Sequence, residues 1–278
     1  MAVTFLVVPQ WQGSGSSRAM RLVEGAQAIS SDLPSSSTVI LDVALEAGES
    51  QGSGVARLTS LQAIRDTQRQ ALAGILAAVD GWALTIGGDC GVELASVDAA
   101  FARPDVALLW IDAHSDLHTP ESSPSGAFHG MVLRTLLGDG TPGLLPTNVV
   151  PTERLVLVGT RAFDDAEAEW ADAAGVTTLR SDELTAESLV AAVEATGASS
   201  VYIHIDLDVL DPSEFAGLGY PEPFGLTAAT LVGLLRGVRA RFSIVGAGIT
   251  EFAPASAEQA EDDLPTILRI LGALTSPQ

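Results

Sequence analysis

Val106-Ala-Leu-Leu-Trp-Ile-Asp112-Ala-His114-Ser-Asp116 is the stretch on which the fold turns. Its six apolar residues read as a strand buried on both faces, an environment offered by a parallel sheet with helices on each side. The run then gives way abruptly to Asp112, His114 and Asp116 at alternate positions. On an extended backbone residues two apart share a face, so these three are predicted to converge at the strand's end. Val201-Tyr-Ile-His204-Ile-Asp206-Leu-Asp208-Val-Leu-Asp211-Pro212 repeats the arrangement, with Asp206 and Asp208 on one face and Pro212 closing the strand. His204 shares that face and reads as a satisfied polar residue beneath the site, with orienting a metal ligand from behind as the alternative.

Around these runs, short β-rich segments alternate with longer ones of helical period, which predicts an α/β chain with about eight strands. The strands are expected at Val3–Val8, Thr38–Val43, Trp82–Ile86, Val106–Ile111, Arg154–Gly159, Val176–Leu179, Val201–Asp208 and Phe242–Thr250. Helices are expected at Leu58–Val79, Gly130–Leu137, Asp164–Ala174, Ala186–Ala195, Leu226–Arg239 and Ala257–Leu274. Ser/Gly-rich stretches are too short to be linkers, and no repeat or composition break appears, so residues 1–278 read as one domain.

Composition narrows the function. The 278 residues carry 35 acidic and 14 basic side chains, a net charge of −21. Such a surface repels phosphate backbones and anionic lipid, arguing against nucleic acid and membranes as partners. All the basic residues are arginine, which removes P-loop and Schiff-base lysine chemistry. Cys90 is the one cysteine, so an internal disulfide and an all-cysteine metal site are excluded. With no signal-peptide pattern and no apolar run near the ~18 residues of a spanning helix, the cytoplasm is the expected compartment.

A lone aspartate at a strand end is ordinarily a cap or loop residue. Four of them, Asp112, Asp116, Asp206 and Asp208, gathered from two strands would repel strongly unless cations sat among them. Two divalent ions balance the charge, and carboxylate with imidazole suits Mn²⁺. A dinuclear hydrolytic centre is the inference.

Asp112-Ala-His114-Ser-Asp116, the run Asp206 to Pro212, Gly87-Gly88-Asp89 and Thr250-Glu251, in this order, resemble the motifs of the ureohydrolase family, which holds arginase, agmatinase and formimidoylglutamase. The resemblance implies a three-layer α/β/α sandwich, two Mn²⁺ ions and a homo-oligomer, usually a trimer or hexamer. It implies that Asp112, Asp116 and Asp206 bind one metal and Asp112, His114, Asp206 and Asp208 the other. By the same resemblance His129 shuttles protons to the leaving amine, Glu251 holds the substrate guanidinium, and Asp116 belongs to the catalytic set as well as the metal set. The implied reaction is hydrolysis of a guanidino C–N bond with release of urea.

The spacing from Asp112 to Gly130 is similar to that of arginase, with Ser125 and Asp164 at positions implied to meet an α-amino acid. His118, Ala127 and Tyr220 depart from the arginase pattern, and His118 is counted with the substrate-binding residues. The family's Gly-Gly-Asp-His motif here ends in Cys90, placing a softer donor where an imidazole is expected, so the first metal is expected to be altered or weak. An inert buried thiol is the plain alternative. L-arginine or a related guanidino amino acid is the expected substrate. The alternatives are another guanidino or formimino compound, of the agmatinase or formimidoylglutamase kind, and a metal-binding member that no longer catalyses.

Overall fold

The computed structural model describes residues 2–77 and 81–276. Strands β1 (Ala2–Val8), β2 (Thr38–Ile40), β3 (Gly81–Gly87), β4 (Val106–Ile111), β5 (Leu155–Val158), β6 (Thr177–Leu179), β7 (Ser200–Asp206) and β8 (Ser243–Thr250) form one sheet in the order β2-β1-β3-β8-β7-β4-β5-β6. Every pairing is parallel, as the unbroken apolar runs required. Eight helices among the described residues cover it: α1 (Met20–Ser31), α2 (Leu58–Leu76), α3 (Glu93–Ala100), α4 (Val132–Leu136), α5 (Asp165–Ala174), α6 (Ala186–Ala195), α7 (Ala228–Arg241) and α8 (Ala257–Thr275).

The pleat sorts the core into two faces. Ala107, Leu109 and Ile111 of β4 and Val201, Ile203 and Ile205 of β7 pack with α1, α6, α7 and α8. The alternate residues Val106, Leu108, Trp110 and Tyr202 pack with α2, α3, α4 and α5. Each fully buried aliphatic side chain contributes roughly 1.5–3 kcal/mol, so both faces hold the sheet and the result is a three-layer α/β/α sandwich.

Two helices escaped the sequence pattern. In α3 seven of eight residues are buried, Glu93 and Asp98 among them, so it has no polar face and no helical period to read. Helix α1 lacks a side-chain cap and an acidic first turn, the usual start signals. The expected helix Leu58–Val79 is seen to Leu76, and its last two residues lie outside the described residues. Strand β2 stops at Ile40, three residues short of the expected end, and it forms an edge of the sheet, where short strands limit unwanted pairing.

The strand ends also differ from expectation. β7 finishes at Asp206 and Leu207–Val209 is a single 3-10 turn, while β4 finishes at Ile111. The carboxylates therefore do not converge along an extended pleat; turns bring them together. Because β3, β8, β7 and β4 are neighbours in the sheet, these turns open into one crevice at the strands' carboxyl ends, the usual ligand position in open α/β sheets.

Candidate active site

After β3 the chain turns at Gly88, where a Cβ would overlap the carbonyl of Gln10, so glycine is required for the close approach. Asp89 ties the turn down by accepting from Gln10 Nε2, Gly13 N and Gly91 N, each at 2.8 Å. Burial, reinforced by the Glu251 charge, raises its pKa to about 6 despite the Gln10 and Gly13 hydrogen bonds. The turn presents Cys90, whose thiol donates to Asp206 Oδ2 at 3.1 Å and lies 3.4 Å from Thr250 Oγ1. Burial first, then the Asp206 carboxylate, push the thiol pKa up.

The β4 and β7 turns are each built by their own carboxylates. Asp112 Oδ1 accepts from His114 N at 2.7 Å and its Oδ2 from Trp110 Nε1 at 3.1 Å. Asp206 Oδ1 accepts from Asp208 N at 2.8 Å, capping the 3-10 turn. Asp208 in turn accepts from Ala113 N at 3.2 Å and faces His114 Nδ1 at 2.9 Å, stitching β7 to β4. Asp116 sits at φ +52°, a left-handed conformation uncommon for a side-chain-bearing residue, and its buried Oδ2 has no hydrogen-bond partner.

These groups repel one another as they stand. Burial and then the neighbouring carboxylates raise the pKa of Asp116 and Asp206 well above the carboxylate range, and that of Asp208 to about 6. Asp112 is lowered instead: burial opposes its ionisation, and contacts with His114 and His204 outweigh it. Buried carboxylates aimed at one point call for positive charge, and the donors fit divalent cations. Asp112, His114 and Asp208 offer ligand atoms all within 4.8 Å of one another, as do Cys90, Asp206 and Glu251, and Cys90, Asp112 and His204.

Glu251 follows β8 at φ +63°. Its amide donates to Gly88 O at 2.8 Å, and its Oε1 accepts from Cys90 N at 3.2 Å and lies 3.3 Å from His129 Nδ1. Burial opposes charging His129, but hydrogen bonding and charge from Glu251, then the charge of Asp89, prevail and raise its pKa. A pocket of about 350 Å³ opens above, with His114, Asp116, Asp206, Asp208, His129 and Glu251 in its wall.

Ser125, His118 and Asp164 line the same pocket while doing local work. Ser125 Oγ accepts from Ala127 N at 3.1 Å. Asp164 caps α5 in a capping box with Glu167, and His118 bridges Asp164 Oδ2 at 2.9 Å and Ser122 Oγ at 3.1 Å.

Other residues face the site: Tyr220 showed in the sequence only as a departure from the arginase pattern, and Glu222 gave no signal. Tyr220 lies tilted 5.1 Å from the His129 ring, and Glu222 stands 4.0 Å from His114 Nε2. Arg161 threads beneath, donating to the carbonyls of Asp208, Glu222 and Pro223 at 2.9 Å and so pinning the loop that carries both. His204 corrects the expectation of a satisfied residue: fully buried and stacked on Trp110 at 3.7 Å, it has no hydrogen-bond partner on either ring nitrogen.

The arginase family model matches residues 19–271. Over 215 residues the chain is 33% identical to the N(omega)-hydroxy-L-arginine amidinohydrolase of Streptomyces lavendulae, covering 75% of this chain and 73% of that one. It is 34% identical over 154 residues to an arginase of Staphylococcus aureus (strain MRSA252), about half of each chain (52% and 51%). The arginase structure from Bacillus caldovelox superposes with a TM-score of 0.87 at 23% identity, covering 99% of this chain and 98% of that one, which shows the shared fold. The chain belongs to the arginase family of hydrolases.

Proposed function

We propose that the protein hydrolyses the guanidino C–N bond of a small amino-acid substrate, L-arginine or a close relative, releasing urea. The observation that carries this is the convergence of His114, Asp116, Asp206 and Asp208 on the wall of a pocket that Glu251 and His129 also line, with Asp112 buried behind them within reach of His114 and Asp208. Two divalent cations fit these donors, Mn²⁺ being suited to the oxygen-rich side at His114 and Asp208. When bound, they supply hydroxide at neutral pH and offset the charge of the transition state.

The chain's own residues do the rest. The Glu251 carboxylate, held by its backbone and by Cys90 N, receives the planar guanidinium and fixes its trigonal carbon over the Asp116 and Asp206 side of the pocket. His129, charged with help from Glu251, carries a proton to the departing amine nitrogen. Asp164 and Glu167 add negative charge to the pocket wall, which suits an α-ammonium group, and Ser125 of the same wall offers a hydroxyl to a carboxylate. The names of the similar proteins, an amidinohydrolase of hydroxyarginine and an arginase, support the same substrate class.

The test is urea release by Mn²⁺-loaded protein from arginine, N-hydroxyarginine, agmatine and guanidinobutyrate, with His129→Ala as control. Turnover confined to the two amino acids and lost in the control is expected. Silence across the panel with metal bound overturns the reading. The same proposal includes a single domain, a cytoplasmic setting and a homo-oligomer, trimer or hexamer, which light scattering would read directly.

A further inference from the structure

Among the described residues, Glu93 and His204 form a buried polar pair for which the reaction above has no use. Both are fully buried, and neither carboxylate oxygen of Glu93 nor either nitrogen of His204 has a hydrogen-bond partner. Four buried polar atoms without hydrogen-bond partners, side by side, are costly. The fold nonetheless makes room for them. A Cβ on Gly248 of β8 would overlap the Glu93 carboxylate, so that glycine leaves the space Glu93 fills. His204 Nδ1 faces Glu93 Oε1 at 3.9 Å, and its Nε2 faces Asp112 Oδ2 at 3.7 Å. On that same side lies Cys90 Sγ, and one ligand atom each from Cys90, Asp112 and His204 lie within 4.8 Å of one another. That spread matches donors around one ion with bonds of about 2.0–2.3 Å.

We infer that His204 and Cys90 together hold one of the two cations, with Asp112 and Asp206 as its carboxylates and Glu93 as the positioning residue that orients the imidazole. This rests on the two-cation reading above and deepens it. The imidazole absent at position 90 enters from β7, and a carboxylate behind a ligating histidine fixes its tautomer and raises its basicity. Trp110 holds the ring flat by stacking. Sulfur, nitrogen and oxygen together suit Co²⁺, Fe²⁺ or Zn²⁺ better than Mn²⁺, so the two positions of this site have different ion preferences.

The test is anaerobic titration of the metal-free protein with Co²⁺. Two equivalents are expected, one of them with a near-ultraviolet thiolate-to-cobalt charge-transfer band that Cys90→Ser abolishes. The chain has four histidines, and two of them, His114 and His204, should show hyperfine-shifted imidazole resonances in the loaded wild-type protein. His204→Gln should weaken the band-bearing equivalent about 100-fold and Glu93→Gln about 10-fold, leaving the other equivalent unchanged. Two equivalents with one shifted imidazole, or an unchanged affinity in His204→Gln, overturn the role of His204; absence of the band overturns that of Cys90. Either result leaves the hydrolase reading standing. Failure to bind two equivalents overturns both. The wild-type resonances decide the matter even where a variant does not fold.

Discussion

The two sides of the Asp112–Asp206 pair are built differently. On the pocket side, the His114 side chain is 32% exposed and pairs with Asp208 at 2.9 Å, whose other oxygen accepts a backbone N–H. On the deep side, Cys90, Glu93 and His204 are sealed between β3, β7, β8 and α3, and Glu93 and His204 lack hydrogen bonds. A hydrogen-bonded, half-open site keeps its shape whether or not it is filled. A buried, unsatisfied one gains most from being filled, so the deep side should bind more tightly and exchange more slowly.

The most destructive change removes the carboxylate between the two sides. Asp206→Asn should lower urea release about 10³-fold or more and weaken both metal equivalents in a calorimetric titration; loss of one equivalent alone would mean that Asp206 serves one side only. Next, His129→Ala should reduce kcat by about 10²–10⁴-fold while both equivalents bind as before. Asp208→Asn should weaken the pocket-side ion and spare the deep one. If it weakens both equally, the comparison fails.

A pH experiment probes the link between the sides. His129 has a folded pKa above its ordinary 6.5, so its charge stabilises the fold fully below 6.5, and that stability is lost as pH rises through the raised value. In the metal-free protein Glu251→Gln removes the main cause. The difference in melting temperature between wild type and variant should therefore shrink as pH climbs from 6 upward, and a constant difference would show that the two residues are not coupled. The smallest expected effect belongs to Arg161→Ala, which frees the Glu222–Pro223 loop from the pocket side: about 1–3 kcal/mol of stability by chemical denaturation, with a rise in KM.

Much of this was legible in the sequence, and the reasons differ by element. β4 declares itself because a parallel strand buried on both faces is apolar throughout, so its first aspartate marks its end, whereas β7, interrupted by His204, was expected to run to Asp208 and stops at Asp206. Helix α3 was invisible because burial on every side erases the period that reveals a surface helix. The alternation of Asp112, His114 and Asp116 pointed to the right cluster through the wrong geometry: the turns place these side chains, with Asp116 at φ +52°. Ser125 and Asp164, implied by the resemblance to meet an α-amino acid, are both local anchors and part of the pocket wall in the structure. His204 was underestimated, since a polar residue on an apolar strand gives no sign of whether its partners will be present.

By itself, the sequence determined the class of sheet, the strand ends at which chemistry gathers and the carboxylate-rich character of the site, because apolar period and its interruption are local properties of the chain. Only the tertiary structure decided that β7 lies between β8 and β4, which sets His204 against Trp110 and opens Gly248 to Glu93. It also brought Cys90 to Glu251 across 161 residues. Contacts between segments so far apart depend on strand order and on the volume that neighbouring side chains leave free, and neither quantity is written in any one stretch of residues.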